Sequence, residues 1–169
     1  ATNTDAQAAA ASLETALGGP GSLRGQKVLI LGAGGAARAV AFGTKALGAK
    51  LLFHNRTVVR AEKLAHETGG QCVSKEEIRS AGFHVVAVVN TTSVGLHPNV
   101  DQTPLEKEEL PEGSLIFDTV YNPLRTRLLQ LAEERGLKTL NGLAMFIGQG
   151  AAQFELFTGQ PAPKDVMEE

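Results

Sequence analysis

The sequence contains no tryptophan, one tyrosine and a single cysteine, Cys72. One cysteine excludes an internal disulfide and a cysteine-rich zinc site, and the apolar neighbour Val73 indicates a buried thiol rather than a nucleophile. The four histidines, at positions 54, 66, 84 and 97, are scattered singly without metal-ligand spacing. The sequence therefore predicts no metal site.

An excess of one charge and long apolar runs are also missing. The 16 basic and 18 acidic residues are interspersed, and the net charge is −2. No basic stripe indicates a nucleic-acid partner, no apolar run is long enough to span a membrane, and no signal peptide heads the chain. With 169 residues, 43% of them hydrophobic, the composition is that of one soluble domain. We expect its partner to be a small molecule.

A glycine-rich turn is the most informative feature that is present. An apolar run at 28–31 leads into the turn at 32–35, an alanine-rich stretch follows as far as about Gly48, and a second apolar run covers 51–53. Strand, glycine turn, helix and strand in this order are typical of the first unit of a dinucleotide-binding fold.

The residues of this turn have separate predicted roles. Gly32 permits the tight turn, while Gly34 and Gly35 leave room for the backbone to approach a pyrophosphate. The start of the helix offers N–H groups and the positive end of the helix dipole. The predicted cofactor contacts here are Gly32, Ala33, Gly34, Gly35 and Ala36.

The residues after the second strand indicate which dinucleotide binds. An NAD site typically has Asp or Glu at this position, but the sequence has Asn55, followed by Arg56, Thr57 and, one turn later, Arg60. Two guanidinium groups and a hydroxyl attract a 2′-phosphate that a carboxylate would repel. These residues predict NADP as the cofactor. The alternative is that they form an ordinary solvated start of a helix.

Capping and turn signals divide the rest of the chain into alternating helices and strands. Predicted helices cover about 5–17, 58–68, 126–135 and 143–157, with a short helix after the capping box of Ser74 and Glu77 and a helical turn at Pro104. Further strands are predicted at 84–89, 115–117 and 137–140. The pattern predicts an α/β fold, with a doubly wound, mostly parallel Rossmann-type sheet of about six strands and helices on both faces. We expect one domain over 1–169, in which residues 1–22 form a lead-in and helix.

Two loops are expected at the carboxyl edge of the sheet, where ligands of such folds bind. The loop at 90–95 has hydroxyl and N–H groups that are candidates for contacts with ribose and nicotinamide. Its hydroxyl-bearing residues are Thr91, Thr92 and Ser93. The loop at 118–123 holds Tyr121, a candidate substrate contact. An ordinary polar loop and a half-buried packing tyrosine are the alternatives.

The last predicted helix adds two candidates. Gly142 at its start would let the backbone approach a nicotinamide ring, and Gln149 lies two turns further on, along roughly the same face. A glutamine close to Met145 and Phe146 is unusual for a core position, so its amide is a candidate for bonding a hydroxylated substrate. A partly exposed glutamine is the alternative.

Six motifs together make the chain similar to one enzyme family. They are Asn3-Thr4-Asp5, GAGGAARA at 32–39, NRT at 55–57, NTTSVG at 90–95, DTVYNP at 118–123 and GLAMFIGQ at 142–149. In this order they resemble the C-terminal, cofactor-binding half of shikimate dehydrogenases. The last motif and the FTGQPAP tail look most like the plant bifunctional dehydroquinate dehydratase–shikimate dehydrogenases, although bacterial relatives are similar.

The resemblance implies a reaction and a setting. The reaction is the NADP-dependent interconversion of 3-dehydroshikimate and shikimate, a step of the chorismate pathway of aromatic amino acid biosynthesis. The setting is the cytoplasm for a bacterial protein and the plastid for a plant protein.

The resemblance also implies roles for single residues. Asp5 matches the aspartate that binds the substrate hydroxyl and supports a catalytic lysine, although from the residues alone Asp5 is a helix N-cap. Arg56, Thr57 and Arg60 match the phosphate clamp. Tyr121 and Gln149 match substrate contacts, and Thr119 and Gly142 match contacts near the nicotinamide. Asn55 and Met145 are further predicted cofactor contacts.

In the family this chain resembles, a substrate domain with the catalytic lysine precedes the NTD motif. Here the sequence begins at that motif, and none of its lysines lies in a matching context. We therefore expect that the N-terminal substrate domain is absent and that the isolated chain binds NADP without oxidising shikimate. Two alternatives are a quinate or quinate/shikimate dehydrogenase and a non-catalytic sensor domain with the same fold.

Overall fold

The computed structural model describes residues 4–162, so that Asn3 of the NTD motif and Pro163 and Lys164 of the tail lie outside the described residues. Helices and strands alternate along the chain. In order they are α1 (Thr4–Leu17), β1 (Lys27–Leu31), α2 (Gly35–Ala46), β2 (Lys50–His54), α3 (Val58–Thr68), β3 (Gln71–Cys72), α4 (Lys75–Arg79), β4 (Ala87–Asn90), a 3₁₀ turn (Lys107–Glu109), β5 (Leu115–Asp118), α5 (Arg127–Glu134), β6 (Thr139–Leu140) and α6 (Leu143–Thr158).

The six strands found within residues 4–162 form one parallel sheet in the order β3-β2-β1-β4-β5-β6. In the centre, Val28 of β1 lies opposite Leu51 of β2 on one side and opposite Ala87 of β4 on the other. The strand order reverses at β1, so a crevice opens between β1 and β4 at the carboxyl edge. The predicted doubly wound Rossmann-type fold is confirmed.

Alternate side chains of the strands face two separate helical layers. Val28 and Ile30 pack in one core with residues of α1, α2 and α3, and Leu29 and Leu31 pack in the other core with residues of α4 and α5. Helix α1 lies against both α2 and α6, with buried alanines and Leu13 on its inner face. Close contacts of Ala6 with Gly43 of α2 and of Ala8 with Gly148 of α6 fix the position of the first turns of α1.

Most of the predicted elements are present with small shifts. Helix α3 has the predicted bounds, and the capping box of α4 is formed, because the Glu77 N–H donates to Ser74 Oγ at 3.1 Å and the Ser74 N–H donates to Glu77 Oε2 at 2.7 Å. Thr57 occupies the N-cap position of α3 without a side-chain capping bond. Asp5 lies inside the first turn of α1 rather than before it, so the N-cap prediction for Asp5 is wrong.

The strands differ more from the prediction. Strand β3 was not predicted, because its two residues form a strand only by pairing with Leu52 and Phe53 of β2. Strand β4 begins at Ala87 instead of position 84, where β1 no longer offers a partner, and it continues to Asn90. The helical turn expected at Pro104 begins at Lys107. These corrections leave the order of the elements unchanged.

Candidate cofactor and substrate site

The glycine turn joins β1 to α2 at the crevice. Gly32 has a φ of 112°, and a Cβ there would lie 2.6 Å from Thr91 Oγ1, so both the conformation and the contact require glycine. Gly34 and Gly35 are exposed, and apart from neighbouring residues of the chain no atom of the described residues lies within 4 Å of a Cβ built on either. The first N–H groups of α2 have no partner within the helix. Open space at a helix N-terminus fits a pyrophosphate.

Two clefts lie beside this turn, and they are called the larger and the smaller cleft. The larger cleft has a volume of about 590 Å³ and lies between the ends of β2 and β4. Its volume is in the range of small-molecule sites, roughly 300–1,000 Å³. Its lining residues are Leu31, Gly32, His54, Asn55, Arg56, Lys75, Thr92, Ser93, Val94, Asn99, Gln102 and Pro104. The cleft thus brings together five of the predicted cofactor contacts.

The charges around the larger cleft favour an anion. Arg56 and Lys75 line it, and no Asp or Glu of the described residues does. The Asn55 side-chain amide donates to the carbonyl oxygen of Thr57 at 2.8 Å, which holds the turn that presents Arg56. Thr57 and Arg60 are exposed at the start of α3 but do not line this cleft.

Lys75 was not predicted as a site residue. Its Nζ lies 3.3 Å from Oε2 of Glu109, a buried carboxylate that also bonds Arg79 at 2.5 Å. Burial alone would raise the pKa of Glu109, but the Glu106 N–H and the two cations outweigh it, so the pKa lies below its ordinary value. Lys75 is the first residue of α4, which packs on the 3₁₀ turn, a contact that no local sequence pattern shows.

The smaller cleft, of about 210 Å³, lies across the start of α2 from the larger one. Its lining residues are Asp5, Ala36, Thr119, Tyr121, Gly142, Met145, Phe146 and Gln149. The cleft therefore brings together the three predicted substrate contacts and four predicted cofactor contacts, which come from α1, α2, α6 and the loop after β5.

Two contacts shape the mouth of the smaller cleft. Tyr121 is 51% exposed and stacks on Phe146 with ring centroids 5.0 Å apart. Gly142 is buried, and a Cβ there would come within 2.9 Å of the carbonyl oxygen of Val120 and closer still to that of Thr119. The close approach at Gly142 is therefore made to the loop after β5, which lets α6 begin against that loop.

Three of the candidate hydroxyl groups donate within the protein. Thr91 donates to the carbonyl oxygen of Leu31 at 2.6 Å, Thr92 to Asn90 Oδ1 at 2.7 Å, and Thr119 to the carbonyl oxygen of Asn90 at 2.9 Å. A hydroxyl that already donates can only accept from a ligand. Ser93 is exposed at the larger cleft.

Cys72 lines neither of these clefts, and the described residues 4–162 contain no candidate metal site or membrane-spanning helix. Cys72 is half-buried, and burial together with the Glu62 carboxylate raises the pKa of its thiol, which disfavours a nucleophilic role. Within the described residues there is no group of three His, Cys, Asp or Glu side chains suited to a metal ion. None of the helices described is both long and apolar enough to cross a membrane.

Models of known protein families match two parts of the chain. Residues 14–118 match shikimate / quinate 5-dehydrogenase, and residues 142–169 match the shikimate 5′-dehydrogenase C-terminal domain. The first match alone covers more than half of the chain. The chain belongs to the shikimate/quinate 5-dehydrogenase family. This result confirms the family predicted from the six motifs.

Three relatives in this family show the extent of the match. A shikimate dehydrogenase (NADP(+)) of Methanosarcina acetivorans is 44% identical, over 98% of this chain and 60% of its own length. The chloroplastic bifunctional 3-dehydroquinate dehydratase/shikimate dehydrogenase of Arabidopsis thaliana is 42% identical, over 97% of this chain and 29% of its own length. The crystal structure of a shikimate 5-dehydrogenase from Thermus thermophilus, in complex with NADP(H) and shikimate, superposes with a TM-score of 0.85 at 40% identity, over 98% of this chain and 60% of that one. This chain therefore spans 60% or less of the length of these relatives.

Proposed function

We propose that the chain is the NADP-binding part of a shikimate dehydrogenase, acting in reversible hydride transfer between NADPH and 3-dehydroshikimate. The observation that carries the proposal is the pair of clefts on either side of the glycine turn. Both lie at the carboxyl edge of the sheet, where dinucleotides bind in this fold. A ligand that crosses the turn can occupy both clefts, with its pyrophosphate at the start of α2.

The larger cleft suits the adenosine end of NADP. The guanidinium of Arg56 would pair with the 2′-phosphate, and its plane is suited to stacking on adenine. Lys75 adds a second cation, and the absence of a carboxylate from the described lining removes the usual partner of NAD ribose hydroxyls. This charge pattern supports NADP over NAD.

The smaller cleft suits the nicotinamide end and the substrate. When bound, the nicotinamide supplies the hydride chemistry. Asp5 would hold the substrate hydroxyl, while the Tyr121 phenol and the Gln149 amide would bond further polar groups of the substrate. No lysine lines this cleft in the described part of the chain. We infer that residues 1–169 form the cofactor domain and that the general acid–base lysine belongs to a separate substrate domain.

The proposal is tested by calorimetric titration of the purified chain with NADP and with NAD. We expect NADP to bind at least about tenfold more tightly, since one charge-assisted pair is worth about 1.5–3 kcal/mol. Equal affinities for the two cofactors, or no binding of either, would overturn the proposal.

A further inference from the structure

Asp118, at the end of β5, has a buried carboxylate that the site described above does not use. Its side chain is fully buried, and it lines neither the larger nor the smaller cleft. Its Oδ1 accepts from Asn90 Nδ2 and from the Val120 N–H, both at 3.0 Å, and its Oδ2 accepts from the Thr126 hydroxyl at 2.7 Å. All three donors are neutral, so this carboxylate is held by hydrogen bonds rather than by a cation.

Asn90 extends the network to both clefts. Its Oδ1 accepts from the Thr92 N–H at 3.0 Å and from the Thr92 hydroxyl at 2.7 Å, and its Nδ2 also donates to the carbonyl oxygen of Val94 at 3.3 Å. Its own carbonyl oxygen accepts from the N–H of Thr119 at 3.0 Å. One buried pair, Asn90 and Asp118, thus holds a wall of the larger cleft and a wall of the smaller cleft.

We propose that Asp118 is a positioning residue that fixes the two clefts in the relative position that NADP binding requires. Through Asn90 it places the wall at 92–94, and through its bonds to Val120 and Thr126 it places the wall at 119–121. The proposal rests on the proposed function, because the relative position of the clefts matters only to a ligand that spans both. In catalysis, a misplacement of about 1 Å that starts far from the reacting atoms can lower the rate by about 10²-fold.

The network should affect one half of the cofactor more than the other. The residue expected to pair with the 2′-phosphate, Arg56, follows β2, and no described hydrogen bond joins it to Asp118. A fragment that fills only the adenosine end, adenosine 2′,5′-bisphosphate, should therefore be less sensitive to Asp118 than NADP is. A general loss of stability would weaken both ligands equally.

The first test compares two substitutions at Asp118 by calorimetric titration, at a temperature where circular dichroism shows each variant to be folded. Asp118→Ala should weaken NADP binding by about tenfold or more and the bisphosphate by less than about threefold. Asp118→Asn should leave the affinity for NADP within about threefold of that of the parent chain. Burial raises the pKa of Asp118 although its hydrogen bonds lower it, so a neutral amide is a suitable replacement, and the Thr126 hydroxyl can rotate to accept from it.

A matched pair of threonine variants keeps the test decisive if Asp118→Ala does not fold. Thr126 and Thr44 are both fully buried, and each donates a hydrogen bond of 2.7 Å, Thr126 to Asp118 and Thr44 to the carbonyl oxygen of Val40 within α2. Thr126 is also the N-cap of α5, where its hydroxyl accepts from the Leu129 N–H at 3.4 Å. Thr126→Val should shift the ratio of NADP to bisphosphate affinity by about threefold or more. Thr44→Val should lower the midpoint of thermal unfolding and leave that ratio unchanged.

Tyr121 gives a readout that needs no ligand. It is the only tyrosine in a chain without tryptophan, so the intrinsic emission comes from the loop after β5. Asp118→Ala and Thr126→Val should make Tyr121 more accessible to acrylamide quenching, and Asp118→Asn and Thr44→Val should not. Unchanged quenching with equal weakening of both ligands would overturn the role of Asp118. Failure of the parent chain to bind NADP would instead overturn the proposed function, while the quenching result would still report on the loop.

Discussion

At the scale of single residues, Arg56 is expected to decide the choice of cofactor. Arg56→Ala should weaken NADP binding by about tenfold or more, which is about 1.4 kcal/mol, because only NADP has a 2′-phosphate to pair with the guanidinium. NAD binding should stay within about twofold. Calorimetric titration of both cofactors measures the difference.

The control for this prediction is Arg24→Ala. Arg24 is an exposed arginine just before β1, at the amino edge of the sheet and far from the clefts. This variant should bind both cofactors like the parent. If Arg56→Ala weakened NADP and NAD by the same factor, Arg56 would have no role in recognition of the 2′-phosphate.

The sequence predicted a site residue best when its side chain suits the ligand and it lies close to the end of a strand. Gly32 directly follows β1 and Arg56 is the second residue after β2, so the ends of these strands place both residues in the crevice. The prediction missed Lys75, whose ion pair with Glu109 of the 3₁₀ turn joins residues far apart in the sequence. Local patterns also do not show that the hydroxyl of Thr91 donates to the backbone of β1. Such contacts depend on tertiary packing.

At the scale of elements, the position of α6 depends on Gly142. Gly142→Ala should lower the free energy of unfolding by about 1–3 kcal/mol, because the added Cβ would press on the carbonyl oxygens of Thr119 and Val120. Because α6 would then move away from the smaller cleft, NADP binding should weaken as well. Chemical denaturation and cofactor titration together measure both effects.

Ala144→Gly is the matched control for α6. Ala144 is exposed on the same helix, so this substitution costs about 1 kcal/mol of helix stability without pushing the helix from its place. It should leave NADP binding unchanged. Equal loss of NADP binding in both variants would show that the stability of α6, not its position, controls the cleft.

The Glu109 carboxylate links α4 to the 3₁₀ turn and makes stability depend on pH. Its pKa is below the ordinary value of 4.5, so its contribution is present above that value and is lost as the pH falls through the lower pKa of the folded state. Glu109→Gln should lower the free energy of unfolding by about 1–3 kcal/mol at neutral pH. The difference from the parent should shrink in acid, where the parent is protonated too. Urea denaturation over a pH series measures this convergence.

Glu108→Gln serves as the control for Glu109, because Glu108 is an exposed neighbour in the same 3₁₀ turn. It should change stability by less than about 0.5 kcal/mol at any pH. A difference between Glu109→Gln and the parent that stayed constant into strong acid would contradict the role given to the ionised carboxylate.

The elements themselves were predictable to different degrees. Helix α3 was predicted with its bounds, since Thr57 and Gly69 mark its two ends in the sequence. Strand β3 was not predicted, and β6, predicted at 137–140, covers only Thr139–Leu140, because both strands are limited to the two residues that pair with β2 or β5. The doubly wound, parallel type of sheet followed from the alternation of strands and helices, whereas the strand order β3-β2-β1-β4-β5-β6 comes from the structure.

At the scale of the whole molecule, the expected outcome is cofactor binding without turnover. The described lining of the smaller cleft contains Asp5 but no lysine, and general acid–base catalysis alone typically contributes about 10²–10⁴-fold in rate. A substrate held on one side only also loses the gain from positioning. The purified chain at saturating NADP and high shikimate should therefore show no detectable formation of NADPH, while the full-length shikimate dehydrogenase of Methanosarcina acetivorans serves as the positive control.

In the same sample, NADP at about 100 times its Kd should stabilise the fold by about 2.7 kcal/mol and raise the midpoint of a cooperative thermal transition. This rise shows that the cofactor site is intact. Turnover by the pure chain that Asp5→Asn abolished would show that these residues contain a complete catalytic group, and the proposed division between a cofactor domain and a separate lysine-bearing domain would be wrong.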